Sequence, residues 1–283
     1  MREIDCKLIT EEIRKLCIEA NYRLPKDVEE QICKCIDEEP YELAKTTLKN
    51  IKENFEISKE GVFPICQDTG MACVFVEIGQ DVHITGGNLS DAINEGVRQG
   101  YEEGYLRKSV VNDAVFTRIN TKDNTPAIIS YEIVSGEGLK ITVAPKGFGS
   151  ENMCKIKMLK PSDGVEGIKE FVLDTVKQAG PNACPPIIIG VGIGGNFEKV
   201  AILSKKAMLR KIGTRNKDEK YAKLEEELLE EVNKLGIGPA GYGGKTTALG
   251  LNIESFPTHI AGMPVAVSIC CHVARHKEVE LWK

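Results

Sequence analysis

The stretch Gly164–Gly195, GVEGIKEFVLDTVKQAGPNACPPIIIGVGIGG, contains two hydrophobic patterns of different period. Residues 165–179 repeat apolar side chains at helical spacing, and Gly180-Pro181 ends that pattern. Residues 187–191 then form a continuous apolar run, which is typical of a strand buried on both faces. An amphipathic helix followed directly by a buried strand predicts that helices pack against a sheet in this protein.

The segments on either side of this stretch predict an α+β protein. Residues 1–57 show three helical patterns, of which the first is predicted to be capped by Thr10. Further strands are predicted at 71–78, 127–134, 139–144, 247–253 and 265–269, and further helices at 88–106 and 217–235. The strands at 127–134 and 139–144 flank Ser135-Gly136-Glu137-Gly138 and are predicted to form a hairpin.

The predicted fold is an N-terminal helical layer followed by a mixed, largely antiparallel sheet packed with helices. The predicted domains are residues 1–57 for that layer and 58–283 for one continuous functional domain.

The composition is that of an ordinary globular protein. The chain has 283 residues, of which 42% are hydrophobic and 28% charged, and its net charge is −5. Mild acidity gives no electrostatic footprint for nucleic acid or for anionic lipid. No apolar segment follows Met1-Arg2-Glu3, and the longest apolar run is too short to span a bilayer. We therefore expect a cytoplasmic protein, with any anionic substrate bound by local cations.

Three of the ten cysteines lie in similar local settings. Cys66, Cys184 and Cys271 each occupy a predicted loop or turn with proline, glycine or polar neighbours. In a reducing compartment such thiols are packing residues, metal ligands or reactive groups rather than disulfide partners. Three distant loop thiols suit a metal cluster that is assembled by the fold. The other cysteines are interpreted mainly as packing residues.

Several polar loops carry further candidate site residues. Gln67-Asp68 places an amide and a carboxylate beside Cys66, and the glycines of Lys146–Asn152 allow a ligand to approach backbone N–H groups. Arg107 follows a predicted helix, where a cation either interacts with the helix dipole or binds a carboxylate. His259 lies in a proline-containing loop, and its pattern fits a functional and a structural role equally.

Two glycine-rich segments suggest other functions. Gly190–Gly195 matches the spacing GxGxxG after an apolar strand, which would indicate an NAD-dependent oxidoreductase, but no second βαβ half is evident. A tight glycine turn near a ligand is the favoured interpretation. Gly244-Lys245-Thr246 resembles the end of a phosphate-binding loop, but Pro239 stands where its first glycine is required. A third alternative is a non-catalytic subunit whose cysteines only pack.

The loops taken together resemble those of the class I, iron–sulfur-dependent fumarases and the related L-tartrate dehydratases. The similar segments are PICQDTG at 64–70, LRKSVV at 106–111, DNTPA at 123–127, KGFGSEN at 146–152, CPPIIIGVGIGG at 184–195, GYGGKTTA at 241–248 and PTHIAGMPVAVSICCHVAR at 257–275. They occur in the family's order from about residue 40 onward.

The resemblance implies a [4Fe–4S] cluster that is held by Cys66, Cys184 and Cys271. Cys270 competes for the third position, and Cys271 is chosen because a stretch ending in Arg275 follows it. Three thiolates leave one iron with open positions, which can act as a Lewis acid. The resemblance also implies substrate-binding and catalytic residues. The predicted substrate-binding residues are Gln67, Asp68, Arg107 and Gly149, and the predicted catalytic residues are Asp68 and His259.

The resemblance further implies a two-subunit hydro-lyase. Single-chain family members continue into a second domain, whereas this sequence ends at Lys283. We therefore expect an α subunit whose active site is completed by a β subunit, in a heterodimer or an α2β2 assembly. The expected reaction is the reversible hydration of fumarate to L-malate, with L-tartrate dehydration as the alternative. A small dicarboxylate is the expected substrate, and neither nucleic acid nor membrane is an expected partner.

Overall fold

The computed structural model describes residues 2–281 and contains two compact units. The first unit combines the N-terminal residues up to Pro25 with Phe55–Phe148 and the residues from Arg275 onward. The second unit consists of Lys26–Asn54 and Gly149–Ala274. Each unit is therefore built from segments that are distant in the sequence.

Helices and strands are interspersed along the chain, with three helices in succession near its start. The helices are α1 (Cys6–Tyr22), α2 (Lys26–Glu38), α3 (Glu42–Ser58), α4 (Leu89–Glu103), α5 (Phe148–Glu151), α6 (Gly164–Ala179), α7 (Phe197–Ala207) and α8 (Glu219–Lys234). The strands are β1 (Arg2–Asp5), β2 (Met71–Gly79), β3 (Val82–Thr85), β4 (Ile128–Val134), β5 (Leu139–Lys146), β6 (Lys155–Leu159), β7 (Ile187–Gly194), β8 (Ala248–Phe256), β9 (Met263–Cys270) and β10 (Lys277–Glu280). This content confirms the α+β class.

The first unit packs two helices against a four-stranded sheet of order β10-β5-β2-β4. The pair β2–β4 is parallel, and the pairs β2–β5 and β5–β10 are antiparallel. Helices α1 and α4 can approach closely because Gly96 has no side chain. A Cβ at that position would lie only 2.6 Å from the Thr10 carbonyl oxygen. Ile13, Val74 and Ile93 belong to the buried core that these elements share.

The predicted hairpin of β4 and β5 is wrong, because β2 lies between the two strands. The turn that joins them instead crosses the end of β2. The N–H of Gly79 donates to the Gly138 carbonyl at 2.7 Å, and the N–H of Asp81 donates to the Gly136 carbonyl at 3.1 Å. Alternating apolar residues predicted both strands correctly, but they carry no information about which strand lies beside which.

The second unit contains a four-stranded sheet of order β6-β9-β7-β8. Here β7–β8 is parallel, whereas β7–β9 and β6–β9 are antiparallel. All eight residues of β7 are buried, which confirms the predicted central strand. Helices α6 and α8 share a core with the strands, to which Ile189 and Val191 contribute. Gly190 and Gly192, which alternate with those residues, allow α7 to pack closely on β7.

The N-terminal helices are present as predicted, but they divide between the units. Helix α1 belongs to the first unit, while α2 and most of α3 belong to the second. Asp5, rather than Thr10, caps α1, since its carboxylate accepts the N–H of Lys7 at 2.7 Å. Thr10 instead donates to the Ala92 carbonyl at 3.0 Å. No helix within residues 2–281 combines the length and the apolar character needed to cross a membrane.

Candidate functional site

In the first unit, buried side chains hold the carbonyl groups of three successive residues after Cys66. The Nη2 of Arg275 donates to the Asp68 carbonyl at 2.5 Å. The Tyr101 hydroxyl lies 2.9 Å from the carbonyl oxygen of Thr69 and 3.0 Å from that of Gly70. The Asn124 amide also donates to the Gly70 carbonyl, at 3.1 Å. These contacts define the backbone path of the segment that carries Cys66, Gln67 and Asp68.

The Asp68 carboxylate is oriented by two backbone N–H groups. Its Oδ1 accepts the N–H of Gly70 at 3.0 Å, and its Oδ2 accepts the N–H of Phe148 at 2.9 Å. A Cβ at Gly147 would lie 3.2 Å from Oδ2, so glycine leaves room for this contact. The structure thus brings Asp68 together with the start of the glycine-rich loop that was predicted to line the site.

Thr69 joins the Asp68 segment to the Arg107 segment. The Arg107 N–H donates to Thr69 Oγ1 at 2.9 Å, and that hydroxyl lies 3.2 Å from the Arg107 carbonyl. Thr69 is only 1% exposed, whereas the Arg107 side chain is exposed. The Arg107 side chain is therefore exposed to solvent, while its backbone is hydrogen-bonded to Thr69, the residue after Asp68.

Sequence reasoning missed Tyr101 and Arg275 as supports of this site. Tyr101 falls within the predicted helix at 88–106 with no pattern that distinguishes it, and Arg275 is noted only as the end of a motif. Both are buried, with exposures of 0% and 5%. Burial raises the pKa of the Tyr101 phenol well above its ordinary value, an effect that the charge of Arg275 opposes. Tyr101 therefore remains a neutral hydrogen-bond donor.

In the second unit, sheet topology brings Cys184 and Cys271 to the same end. Cys184 precedes β7 and Cys271 follows β9, and these strands are antiparallel neighbours. His272 links the two loops directly. Its backbone N–H donates to the Cys184 carbonyl at 3.3 Å, and its Nδ1 lies 2.9 Å from the same oxygen. His272 is thus a supporting residue that the sequence did not single out.

The backbone at Cys184 has a conformation that non-glycine residues rarely adopt. Its φ is +52° and its ψ is +62°, in the left-handed region, and the residue is exposed. Such backbone strain at an exposed thiol is typical of functional positions. Cys270 is buried, whereas Cys271 is partly exposed. This difference in exposure favours Cys271 over Cys270 as the ligand.

Gly149 and His259 occupy different ends of the second unit's sheet. A Cβ at Gly149 would lie 3.8 Å from the Asn182 carbonyl oxygen, close to Cys184 in the chain. His259 lies in the loop after β8, which contacts the far end of β7, since Thr258 donates to the Gly195 carbonyl at 2.8 Å. Eight strand residues span about 26 Å. The structure therefore does not bring His259 to Cys184, and its catalytic role stays a prediction.

Close packing explains one of the glycine-rich segments that suggested nucleotide binding, and hydrogen bonds within the second unit explain the other. Cβ atoms at Gly190 and Gly192 would overlap the carbonyl oxygens of Ser204 and Val200 in α7. The N–H groups of Lys245 and Thr246 instead donate to the carboxylate of Glu39, which is 2% exposed. A carboxylate from the same unit thus fills the position that a phosphate would take in a phosphate-binding loop.

The chemistry of these donors fits an iron–sulfur cluster. Cys66, Cys184 and Cys271 are exposed or partly exposed thiols, whereas Cys17 and Cys270 are buried. Thiolates are the standard ligands of such clusters. Within either unit, counting only residues 2–281, no three His, Cys, Asp or Glu side chains gather to bind a single metal ion. Cys66 belongs to the first unit, and the other two thiols belong to the second.

The first unit thus presents a thiol, an oriented carboxylate and an exposed cation, and the second unit presents two thiols. The family model described as Fumarate hydratase (Fumerase) matches residues 10–280. The chain therefore belongs to the class I fumarate hydratase family, and it is a hydro-lyase, as the motifs predicted.

Named relatives are similar over almost their full length. The chain is 44% identical over 273 residues to the putative L(+)-tartrate dehydratase subunit alpha of Methanocaldococcus jannaschii, covering 94% of this chain and 95% of the relative. It is 34% identical over 271 residues to the L(+)-tartrate dehydratase subunit alpha of Escherichia coli strain UTI89, covering 94% and 88%. The protein of the same name from strain K12 is 33% identical.

Proposed function

We propose that this chain is the α subunit of an L(+)-tartrate dehydratase. The names of the relatives at 44% and 34% identity are the observation that carries the proposal. They support the alternative from the sequence analysis better than its first choice, which was fumarate hydration. Fumarate remains the second candidate, because the matching family model bears the name of that reaction.

The two candidate reactions are the same elimination on different dicarboxylates. In each, hydroxide leaves one carbon and a proton leaves the adjacent carbon, so that the products are an alkene and water. L-Malate gives fumarate. Tartrate carries one more hydroxyl, so its product is the enol of oxaloacetate, which rearranges to the ketone. Substrate choice therefore depends on how the site accommodates a single hydroxyl group.

We propose that Cys66, Cys184 and Cys271 hold a [4Fe–4S] cluster. When bound, such a cluster supplies a Lewis acid that polarises the leaving hydroxyl. The exposure of Cys184 and Cys271 at one end of a sheet supports this assignment. The third thiol, Cys66, lies two residues before the oriented carboxylate of Asp68.

We assign proton handling in the first instance to Asp68. Its carboxylate is held by two N–H donors, so that its orientation is defined before substrate binds. Arg107 is positioned to bind a substrate carboxylate, and Gln67 and the N–H of Gly149 to donate hydrogen bonds. His259 is retained as a second proton-transfer candidate. Its loop lies at the other end of β7 from Cys184, and Asp68 is therefore the stronger candidate.

The proposal includes a β subunit, because the named relatives are themselves called alpha subunits. We propose that this partner contributes the remaining catalytic residues and cations, in a heterodimer or an α2β2 assembly. A cytoplasmic location is part of the same proposal.

A single anaerobic assay distinguishes the two substrates. The α and β chains are co-expressed, reconstituted with iron and sulfide, and assayed for oxaloacetate from L-(+)-tartrate and for fumarate from L-malate. We expect kcat/KM to be at least about tenfold higher for tartrate, because a site that hydrogen-bonds a substrate hydroxyl discriminates against the analogue lacking it. A higher value for malate would select the fumarate hydratase instead.

The matched control is Asp68→Asn in the same complex. The amide preserves the shape of the side chain but cannot take up the proton, and its NH2 group cannot accept one of the two backbone N–H bonds that orient Asp68. Activity should therefore fall by about 100- to 10,000-fold. Its iron content should equal that of the wild type. Absence of both activities from an iron-loaded wild-type complex would reject the hydro-lyase function.

A further inference from the structure

Arg275 is almost completely buried, yet its hydrogen bonds are incomplete. The side chain is 5% exposed, and its Nη2 donates to the Asp68 carbonyl. Its Nε and Nη1 atoms have no hydrogen-bond partner among the residues that the structure describes. Burying a guanidinium with unmet donors is costly, because nothing replaces the lost hydration. A charge kept at such a cost needs an explanation.

Holding a carbonyl group does not by itself require a charge. The neighbouring carbonyls of Thr69 and Gly70 are held by the neutral groups of Tyr101 and Asn124. A neutral donor at position 275 would serve the Asp68 carbonyl in the same way. The hydrogen bond to the Asp68 carbonyl therefore does not explain why a positive charge is buried at position 275.

We propose that Arg275 supplies a buried positive charge for an anionic group bound beside the Cys66–Asp68 turn. Its unpartnered nitrogens would donate to that group. This inference rests on the proposed function, because the anion belongs to the loaded site. The shared chemistry is a negatively charged hydrogen-bond acceptor, which has two possible sources: the sulfur atoms of the thiolate-bound cluster, or a carboxylate of the substrate.

The proposal makes opposite predictions for the empty and the loaded protein. Arg275→Gln removes the charge and replaces the guanidinium with a neutral amide donor on a shorter side chain. In the iron-free chain this change should leave the Tm equal or raise it, because an unpaired buried charge is removed. In the loaded α–β complex it should weaken binding of the anion. A supporting group beside a metal centre typically contributes about 10- to 100-fold in affinity.

Two further variants separate the charge from a packing role. Arg275→Lys keeps the positive charge and should stay closer to the wild type than Arg275→Gln in every measurement on the loaded complex. The matched control is Arg210→Gln in the second unit, since Arg210 pairs with the fully buried Glu225 at 2.8 Å. That change should lower the Tm of the iron-free chain, because it leaves a buried carboxylate without its charged partner.

The test combines three measurements on each variant: the Tm of the iron-free chain, the rate of iron release to a chelator from the anaerobic complex, and KM. Faster iron release by Arg275→Gln, by about 10- to 100-fold, assigns the anion to the cluster. A KM raised by a similar factor, at unchanged iron content, assigns it to the substrate carboxylate.

Two results would overturn the inference. One is a Tm of the iron-free Arg275→Gln chain that falls as it does for Arg210→Gln, which would make Arg275 a structural residue. The other is wild-type iron release together with a wild-type KM. If the wild-type complex itself holds no iron and has no activity, the proposed function fails and this inference fails with it. If the wild type is loaded and active, only the role of Arg275 is rejected.

Discussion

The two units contain sheets with the same arrangement of strand directions, but they position their cysteines by different means. Each four-stranded sheet has one parallel pair and two antiparallel pairs. In each, a cysteine shortly precedes the strand that pairs in both ways: Cys66 precedes β2, and Cys184 precedes β7. The groups that hold the two cysteine segments in place are different.

Cys66 lies on a segment held by buried side chains, and Cys184 lies on one held by main-chain geometry. Tyr101, Asn124 and Arg275 bind successive carbonyls after Cys66. Cys184 depends on a left-handed backbone, on the register of its sheet and on the contacts of its carbonyl with His272. Changes of single polar groups should therefore perturb the first unit, and changes of close backbone packing should perturb the second.

The largest expected effect comes from the thiols themselves. In the α–β complex, Cys271→Ser should lower iron content and activity by more than about 100-fold, since groups that only support a metal centre already contribute up to that factor. Cys270→Ser is the matched control. Cys270 is buried at the end of β9, and its conversion should leave iron content near the wild-type value. Iron analysis and an activity assay would decide, and the reverse pattern would transfer the ligand role to Cys270.

A smaller but still large effect is expected from close packing in the second unit. A Cβ at Gly192 would overlap the Val200 carbonyl oxygen, which belongs to the backbone of α7 and cannot move aside alone. Gly192→Ala should therefore lower the free energy of unfolding by about 3 kcal/mol, at the upper end for overpacking. Denaturant unfolding would measure this. Gly262→Ala is the control, because nothing lies within 4 Å of its added Cβ. Equal stabilities for the two variants would contradict the packing explanation.

The smallest effect should come from a single hydroxyl in the first unit. Tyr101→Phe removes the donor to the Thr69 carbonyl, while the Gly70 carbonyl keeps its bond to Asn124. One buried acceptor left without a partner costs about 1–2 kcal/mol. Unfolding measurements should show that loss, and they should show none for Tyr105→Phe, because Tyr105 is 88% exposed. An unchanged stability of Tyr101→Phe would show that buried donors do not hold the Cys66 segment.

Some residues of the site could be predicted from the sequence, whereas the buried residues that support them could not. The Cys66–Asp68 turn and the candidate cysteines could be found from sequence, because chemically reactive groups in loops with proline and glycine are visible as local patterns. Arg275 and Tyr101 could not, since a buried polar residue acquires its role from the group that it contacts. Burial of Cys270 beside the more exposed Cys271 likewise depends on where β9 ends, because Cys270 is its last residue and Cys271 lies in the loop that follows.

The amino-acid sequence by itself determined the longer helices, most of the strands, the α+β class and the family, because periodicity and motif order are properties of neighbouring residues. It did not predict β6 or β10. The tertiary structure alone decided that β2 separates β4 from β5, that the N-terminal helices divide between two units, and that His259 lies at the opposite end of β7 from Cys184. Those outcomes depend on contacts between residues far apart in the chain. Such contacts are selected by the burial and hydrogen bonding of the whole fold, which no local pattern encodes.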